Sequence, residues 1–301
     1  MTEIKDYINE KDYVVRAIDE KAGILAFCGR TTMLVEKART IHNTLPTASA
    51  AFGRLLTASA LMGLMLKGEK DTVTLRVDGE GISGTIVAHA DSKGNVKGFI
   101  GNPSADLPLN EKGKLDVSGI VGNSGTLTVI KDLGLKEPYI GQVPLISGEL
   151  AEDLTYYFAK SEQIPSCVAL GVLVDTDSSI KASGGFIIQL LPESDEKAAI
   201  YIEEKLKEIK SITQLIENHI TPEDILKEIL KDFNLKFTLK HEIQYSCNCS
   251  KEKIESILLS LGKEEVENIL KTEGMVELVC NYCKKAYRFN EEDVKKIFDN
   301  N

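Results

Sequence analysis

The sequence has no stretch able to cross a bilayer. Its best apolar run, Leu55 to Leu66, is about 12 residues long and is broken by Ser59 and Gly63, whereas a spanning helix needs about 20. A secretory leader is also missing. The opening MTEIKDYINEKDYVVRAIDE is charged from its third residue, with no basic head, apolar stretch and small-residue cleavage site in succession. These absences predict a cytoplasmic protein with no membrane partner. Positive charge is scarce: 36 Lys and Arg face 46 Asp and Glu, giving a net charge of −10. The basic residues are interleaved with acids, as in KEKIE and EEKLKEIK, and no aromatic–basic stripe is present. Phosphate neutralisation supplies most nucleic-acid affinity, so a nucleic-acid partner is not expected. The remaining composition, 43% hydrophobic and 27% charged, is that of a soluble globular chain.

Cysteine is sparse except in one place. Four of the six form Cys247-x-Cys249 and, after thirty intervening residues, Cys280-x-x-Cys283. In a reducing compartment such clustering points to metal binding or redox chemistry rather than a permanent disulfide framework. Two thiol pairs can close a tetrahedral zinc site with four sulfurs, and the same pairs can each become a disulfide. A four-cysteine site is closed, with no position left for a catalytic water, so a hydrolytic centre is disfavoured. Residues two apart on an extended strand are too widely spaced for one ion, so a turn is required at Cys247–Cys249. Cys280-Asn281-Tyr282-Cys283 suits a tight knuckle after a strand. His241 is a possible substitute ligand and ranks below the four thiols. Cys28 follows the apolar run Ile24–Phe27 and Cys167 precedes Val168–Leu170, so both read as buried thiols.

The sequence pattern predicts an α+β protein in three parts: a large mixed α/β domain with an antiparallel sheet at 1–192, a helical linker at 193–232, and a small α+β zinc-binding domain at 233–301. In the first part, strands are expected over Asp12–Asp19 and Ile24–Phe27, then a helix from Thr31 to Asn43. A second helix after Pro46 is rich in Ala, Leu and Met and suits burial on most of its surface, with Gly68 as its C-cap. From Asp71 the period becomes two, predicting strands over Thr72–Val77, Gly84–Ala90 and Val96–Ile100, with Leu115–Val117 and Gly125–Lys131 extending the same antiparallel system. A helix over Glu149–Ser161 and strands over Val168–Val174 and Phe186–Leu191 complete the domain. Gly79-x-Gly81-x-x-Gly84 matches a dinucleotide-binding pattern, but the residues after it alternate like a strand instead of opening a helix, so it is read as a hairpin.

The linker reads as one charged helix from Asp195 to His219, with Leu206, Ile209, Ile212 and Leu215/Ile216 as a thin apolar stripe, and a second helix capped by Thr221-Pro222. Such helices are marginal alone and need a docking surface. In the last part, Ser250 caps a helix carrying Ile254, Ile257, Leu258 and Leu261. A second helix runs from Lys263 to Thr272, strands follow over Met275–Val279 and Lys285–Phe289, and Asn290 caps a final helix. A module of about 70 residues has a core worth roughly 3–5 kcal/mol. Structural zinc contributes about 10–16 kcal/mol in comparable modules. Loss of the ion therefore predicts loss of the fold.

CNC, thirty residues and CNYC, after a mixed α/β region and a helical connector, resemble the bacterial 33-kDa heat-shock protein family of redox-regulated chaperones. The run PYIGQVPLISGELAEDLTYYFAKSEQIPSCVALGV, Pro138 to Val172, and SGGFIIQLLP, Ser183 to Pro192, are similar to further segments of that family. The resemblance implies a non-enzymatic, ATP-independent holdase with one zinc per chain on Cys247, Cys249, Cys280 and Cys283, inactive and monomeric when reduced. It also implies that oxidation forms Cys247–Cys249 and Cys280–Cys283 disulfides and releases zinc. The C-terminal domain and linker then unfold, and an active dimer binds unfolding client proteins under oxidative and heat stress. Two other readings rank below it. A zinc-ribbon module acting on RNA or in transcription fits the spacing but not the charge. A thiol–disulfide oxidoreductase would place Cys280-x-x-Cys283 at a helix N-terminus, where a strand is expected instead.

Overall fold

The computed structural model describes residues 11–299 apart from 193, 195, 209, 210 and 219. The chain forms two compact units, Met1–Tyr245 and Ser246–Asn301.

The first unit begins with an antiparallel pair, β1 (Tyr13–Asp19) and β2 (Ile24–Arg30). Asp19 closes their turn by accepting from the amides of Lys21 and Ala22 at 3.0 Å each, and Gly23 supplies the positive φ that follows. Two helices follow, α1 (Thr32–His42) and α2 (Pro46–Gly63). Next come β3 (Thr72–Asp78), β4 (Ile86–Asp91), β5 (Asn95–Ile100), α3 (Val117–Val121), β6 (Thr126–Asp132) and β7 (Tyr139–Pro144). α4 (Ala151–Tyr157) continues as a π-turn over Phe158–Glu162 and leads to β8 (Ser166–Val174) and β9 (Ile180–Leu190). Three helices, α5 (Glu196–Glu208), α6 (Ile212–Glu217) and α7 (Pro222–Ile229), precede β10 (Lys236–Glu242) and the two-residue β11 (Gln244–Tyr245).

The strands make two sheets. One has the order β10-β1-β2-β9-β8 and is wholly antiparallel; the other runs β11-β5-β4-β3-β6-β7, with β11 parallel to β5 and all other pairs antiparallel. α2 packs on β3, β4 and β5 of one sheet and on β2, β8 and β9 of the other. Its small residues make this possible, and only Pro46 and Arg54 remain partly exposed. A side chain at Gly53 would collide with Val35 at 2.5 Å, and one at Gly63 with Ala90 at 2.8 Å. The helix therefore ends at Gly63. Gly68, the expected C-cap, lies instead in a turn held by the Asp71 carboxylate, which accepts from its amide at 2.8 Å.

Both faces of the five-stranded sheet are covered. Leu25 and Phe27 join the core around α2, while the alternate residues Ile24, Ala26 and Cys28 join a second core on the outer face. That outer core is completed by Ala198, Ile202, Ile212, Ile216, Ile225, Leu226, Ile229 and Leu230. The expected linker helices are thus docked along their apolar stripe, within the first unit. Asp195, Ile209 and His219 lie outside the described residues, as does the side chain of Leu206. Glycine on the sheet admits α6: a Cβ at Gly171 would meet Ile212 and Thr213 at 2.6 Å each.

Further sequence expectations differ from the fold. The single helix expected from Asp195 to His219 is two, α5 and α6, with Ser211 extended at the start of α6. Leu115–Val117 is not a strand; Asp116 accepts from the Gly119 amide at 3.0 Å and starts α3 there. β7 is additional to the expected strands. The C-terminal module, expected from residue 233, begins at Ser246, because Lys236–Glu242 pairs with β1 and Gln244–Tyr245 with β5. Gly79–Gly84 leads into β4 with no helix, as the alternation of the following residues implied. Its glycines lie against backbone, since Cβ atoms at Gly79 and Gly81 would meet the carbonyls of Val121 and Ile120 at 2.2 and 2.3 Å.

The second unit carries α8 (Lys251–Leu261), α9 (Lys263–Glu273), the antiparallel pair β12 (Val276–Val279) and β13 (Ala286–Phe289), and α10 (Glu291–Asp299). Ser250 caps α8, Gly274 ends α9 in the left-handed conformation, and Asn290 and Asp293 cap each other's amides at α10. Ile254, Leu258, Val266, Val276, Phe289, Val294 and Ile297 form its core. Ile257 and Leu261, expected on the same stripe as Ile254, are about half exposed at 48% and 47%.

Candidate metal centre

Two backbone devices bring the cysteines of the second unit together. Cys247 and Cys249 lie in the irregular segment that ends at the Ser250 cap, where the Lys253 ammonium donates to the Asn248 carbonyl at 3.0 Å. Cys280 follows β12, and Cys283 sits in the turn before β13. That turn is a knuckle: the Cys280 amide donates to the Lys285 carbonyl at 3.0 Å and the Lys284 amide to the Cys280 carbonyl at 2.8 Å. Lys284 takes a φ of 58° to close it. No helix starts at Cys280, so the geometry lacks the helix N-terminus that a thiol oxidoreductase would use.

The four sulfurs lie within 4.8 Å of one another. Cys247 and Cys280 approach to 3.8 Å, and Cys249 and Cys283 to 3.3 Å. A tetrahedron with zinc–sulfur bonds of about 2.3 Å has edges of about 3.8 Å, so the four sulfurs could hold such an ion with little movement. Among the described residues this is the only group of three or more His, Cys, Asp or Glu side chains placed to hold a metal. The sulfurs are also core atoms. Cys280 is buried with Leu258 and Phe289, and the other three pack against the same cluster. His241 is elsewhere, on β10 of the first unit, with its ring Nδ1 2.7 Å from the Glu242 carbonyl. Cys28 is fully buried under α6 and α7, where burial pushes its thiol far up, and Cys167 is half-buried on β8.

Tyr287 is the site residue that spacing did not reveal. Its hydroxyl donates to the Cys249 sulfur at 3.1 Å. The signal was present in the alternation of Ala286–Phe289, which turns Tyr287 and Phe289 inward together. Burial alone would raise the Cys249 thiol, but hydrogen bonds from Tyr287 and the other thiols outweigh it and bring it down to about 7. Burial pushes Cys283 up to about 12, and the same effect raises Cys247. Four sulfurs this close cannot all ionise unaided, because like charges repel at short range. A dication held by these four sulfurs would reverse that balance and keep the thiols deprotonated.

The family model described as Hsp33 protein matches residues 12–290. The chain belongs to the Hsp33 family. It is 50% identical over 290 residues to the 33 kDa chaperonin of Clostridium botulinum (strain Langeland), covering 96% of this chain and 98% of that one. With the 33 kDa chaperonin of Agathobacter rectalis the identity is 51% over 286 residues, covering 95% and 99%. The crystal structure of the Thermotoga maritima 33 kDa chaperonin superposes with a TM-score of 0.87 at 39% identity, covering 96% of this chain and 98% of that one. Membership of Hsp33 makes this a chaperone-family protein, which accords with the α+β fold and the cysteine cluster. No described helix is long and apolar enough to cross a membrane.

Proposed function

We propose that this Hsp33 member is a redox-regulated, ATP-independent holdase. The observation that carries the proposal is the double role of the cysteines: the sulfurs that could hold an ion are also part of the second unit's small core. In the reduced state Cys247, Cys249, Cys280 and Cys283 would hold one zinc per chain, which supplies the binding energy that a core of this size lacks. Cys249, hydrogen-bonded to Tyr287, ionises more readily than Cys247 or Cys283.

Oxidation pairs Cys247 with Cys249 and Cys280 with Cys283. Each thiol pair gives up two electrons and two protons as its S–S bond forms, and one equivalent of peroxide takes them up, its O–O bond breaking to give two waters. The paired sulfurs no longer offer thiolate ligands, so ion binding is lost and the unit opens. Helices α5–α7 then leave the five-stranded sheet, and unfolding client proteins bind to the exposed surface of a dimer in the cytoplasm. Membership of a chaperone family supports this reading over a zinc module acting on RNA.

The test couples two measurements on one sample. Reduced protein is expected to carry one zinc and to leave a thermally aggregating client unprotected. Peroxide at elevated temperature should release the zinc and switch on suppression without ATP. Equal suppression by the reduced and oxidised forms would overturn the proposal.

A further inference from the structure

In sequence, β10 lies between the linker helices and the cysteine unit, and it is the edge strand of its sheet. None of its side chains is fully buried; Phe237 is 37% exposed and Leu239 only partly covered. Its pairing with β1 is interrupted. The register skips Thr238 between Arg16 and Ala17, leaving that residue as a bulge. Two side-chain ties run to α7: Lys240 pairs with Glu223 at 2.9 Å, and the Lys227 ammonium sits 5.8 Å from the Phe237 ring centre. Glu223 also accepts from the Tyr13 hydroxyl of β1 at 2.8 Å, so one carboxylate joins α7, β1 and β10. Apart from α7, β10 keeps its ladder, the Arg16–Thr238 bond at 2.8 Å, an exposed Lys11–Glu242 pair, the Lys240 ammonium 4.1 Å from the Tyr13 ring centre and the partly buried Leu239. The amides of Asn234 and Ile243 bracket it, donating to the Asp19 carboxylate at 2.7 Å and the Asp12 carbonyl at 3.1 Å.

β1 is the opposite kind of strand. Val14, Val15 and Ala17 are buried at 0–1% exposure and feed the cores on both faces of the sheet. Its backbone edge is therefore a fixed template, while the strand lying on it is held mainly by backbone bonds and by a helix. We propose that β10 occupies the edge a client takes: once α7 has left, an extended segment of an unfolding protein adds to β1 in its place. This rests on the reading of the protein as a holdase whose linker undocks. Strand addition uses the partner's backbone, which every sequence supplies, and so suits clients that share no motif. Until α7 leaves, β10 keeps that edge from pairing with other chains.

Full-length protein, oxidised with peroxide at elevated temperature, tests this by amide hydrogen exchange with and without denatured citrate synthase. Residues 236–242 are expected to lose protection on oxidation, and residues 13–19 to lose protection and regain it when the client is added. A β10 that stays protected in the client complex overturns the proposal. A second arm uses Ile18→Cys with Lys236→Cys, which face each other across the ladder, so the activating oxidation also staples β10 to β1. The stapled protein should release zinc like the wild type yet lose most of its suppression of aggregation. Unchanged suppression, with the staple verified by peptide mapping, also overturns it. A wild type that fails to release zinc or to suppress at all overturns the holdase reading instead.

Discussion

In the first unit a single helix, α2, buries 16 of its 18 residues between two sheets. In the second unit α8 and α9 together bury only Ile254, Leu258 and Val266, and the cysteines supply part of the remaining core. The contrast is between a fold closed by apolar area and one whose small core is shared with four sulfurs that could hold an ion. The first unit also holds a buried hydroxyl network: Thr31, Thr57 and Ser183 bond one another, the hydroxyl of Thr31 lying 2.7 and 2.8 Å from the other two. Removing one contact from such a network costs a fraction of the whole. On the proposed reading, removing one cysteine from the second unit costs its closure.

The largest test of that contrast is Cys280→Ser. Zinc is worth about 10–16 kcal/mol to comparable modules and the apolar core about 3–5, so the variant should lose tight zinc binding and the helix signal of α8–α10. Circular dichroism with limited proteolysis should show the first unit still folded. Retained zinc stoichiometry together with an intact helix signal would remove the distinction between the units.

The next test concerns which disulfides form. Every sulfur is within 4.8 Å of the other three, so proximity does not choose the pairing. Energetics separate the outcomes. Bonds within the pairs Cys247–Cys249 and Cys280–Cys283 close very short loops and leave the rest of the unit unconstrained. A cross bond such as Cys247–Cys280 would close a loop of more than 30 residues and stabilise the unit by about 4 kcal/mol, making oxidation a clip. Peptide mapping of the oxidised protein should find the short pairing. Cross bonds with a folded second unit would mean that oxidation does not open it.

Acid should act on the first unit in an unusual direction. Asp12 caps α1, its carboxylate accepting from the Leu34 amide at 2.7 Å, while its other oxygen is buried with no partner among the described residues. Burial outweighs the amides of Leu34, Met33 and Thr32 and raises this carboxyl from 3.8 to about 7. The folded state therefore keeps a proton that the unfolded state has released between about pH 4 and 7. Stability from this group rises as pH falls through that window, by at most about 1.4 kcal/mol per pH unit. Asp12→Asn should flatten the slope in denaturant midpoints measured across the window. An unchanged slope would show that the carboxylate is fully stabilised by the helix amides.

What was legible in the sequence follows the range of the interactions. The period-two run Thr72–Val77 and the small-residue helix after Pro46 are local patterns, and the fold contains both. Cysteine spacing brought out the cluster because the hairpin and helices around it are themselves local. The boundary at Tyr245 was hidden, since Lys236–Glu242 has a weak alternation and finds its partner, β1, more than 200 residues earlier. Asp153 was hidden as well. Its carboxylate accepts from the amides of Ile146, Ser147 and Leu150 at 2.7–3.0 Å and shapes the start of α4, which no periodicity reveals.

The smallest effect sharpens the comparison most, because it asks whether the linker helices behave as part of the first unit or only rest on it. A Cβ at Gly171 would meet Ile212 and Thr213 of α6 first, at 2.6 Å each, whereas one at Gly184 would strike both Ile216 and the Gly29 carbonyl. Gly171→Ala is therefore the selective probe. Overpacking costs about 1–3 kcal/mol and exceeds the roughly 0.4–1 kcal/mol gained from a stiffer unfolded chain. The expected result is faster proteolysis near residues 211–217, an unchanged zinc content and partial client suppression in the reduced protein. If suppression stays silent while α6 loosens, undocking of the linker is not the output of the switch. If α6 does not loosen at all, the sheet yields around the new methyl group and the linker is as firmly part of the first unit as α2.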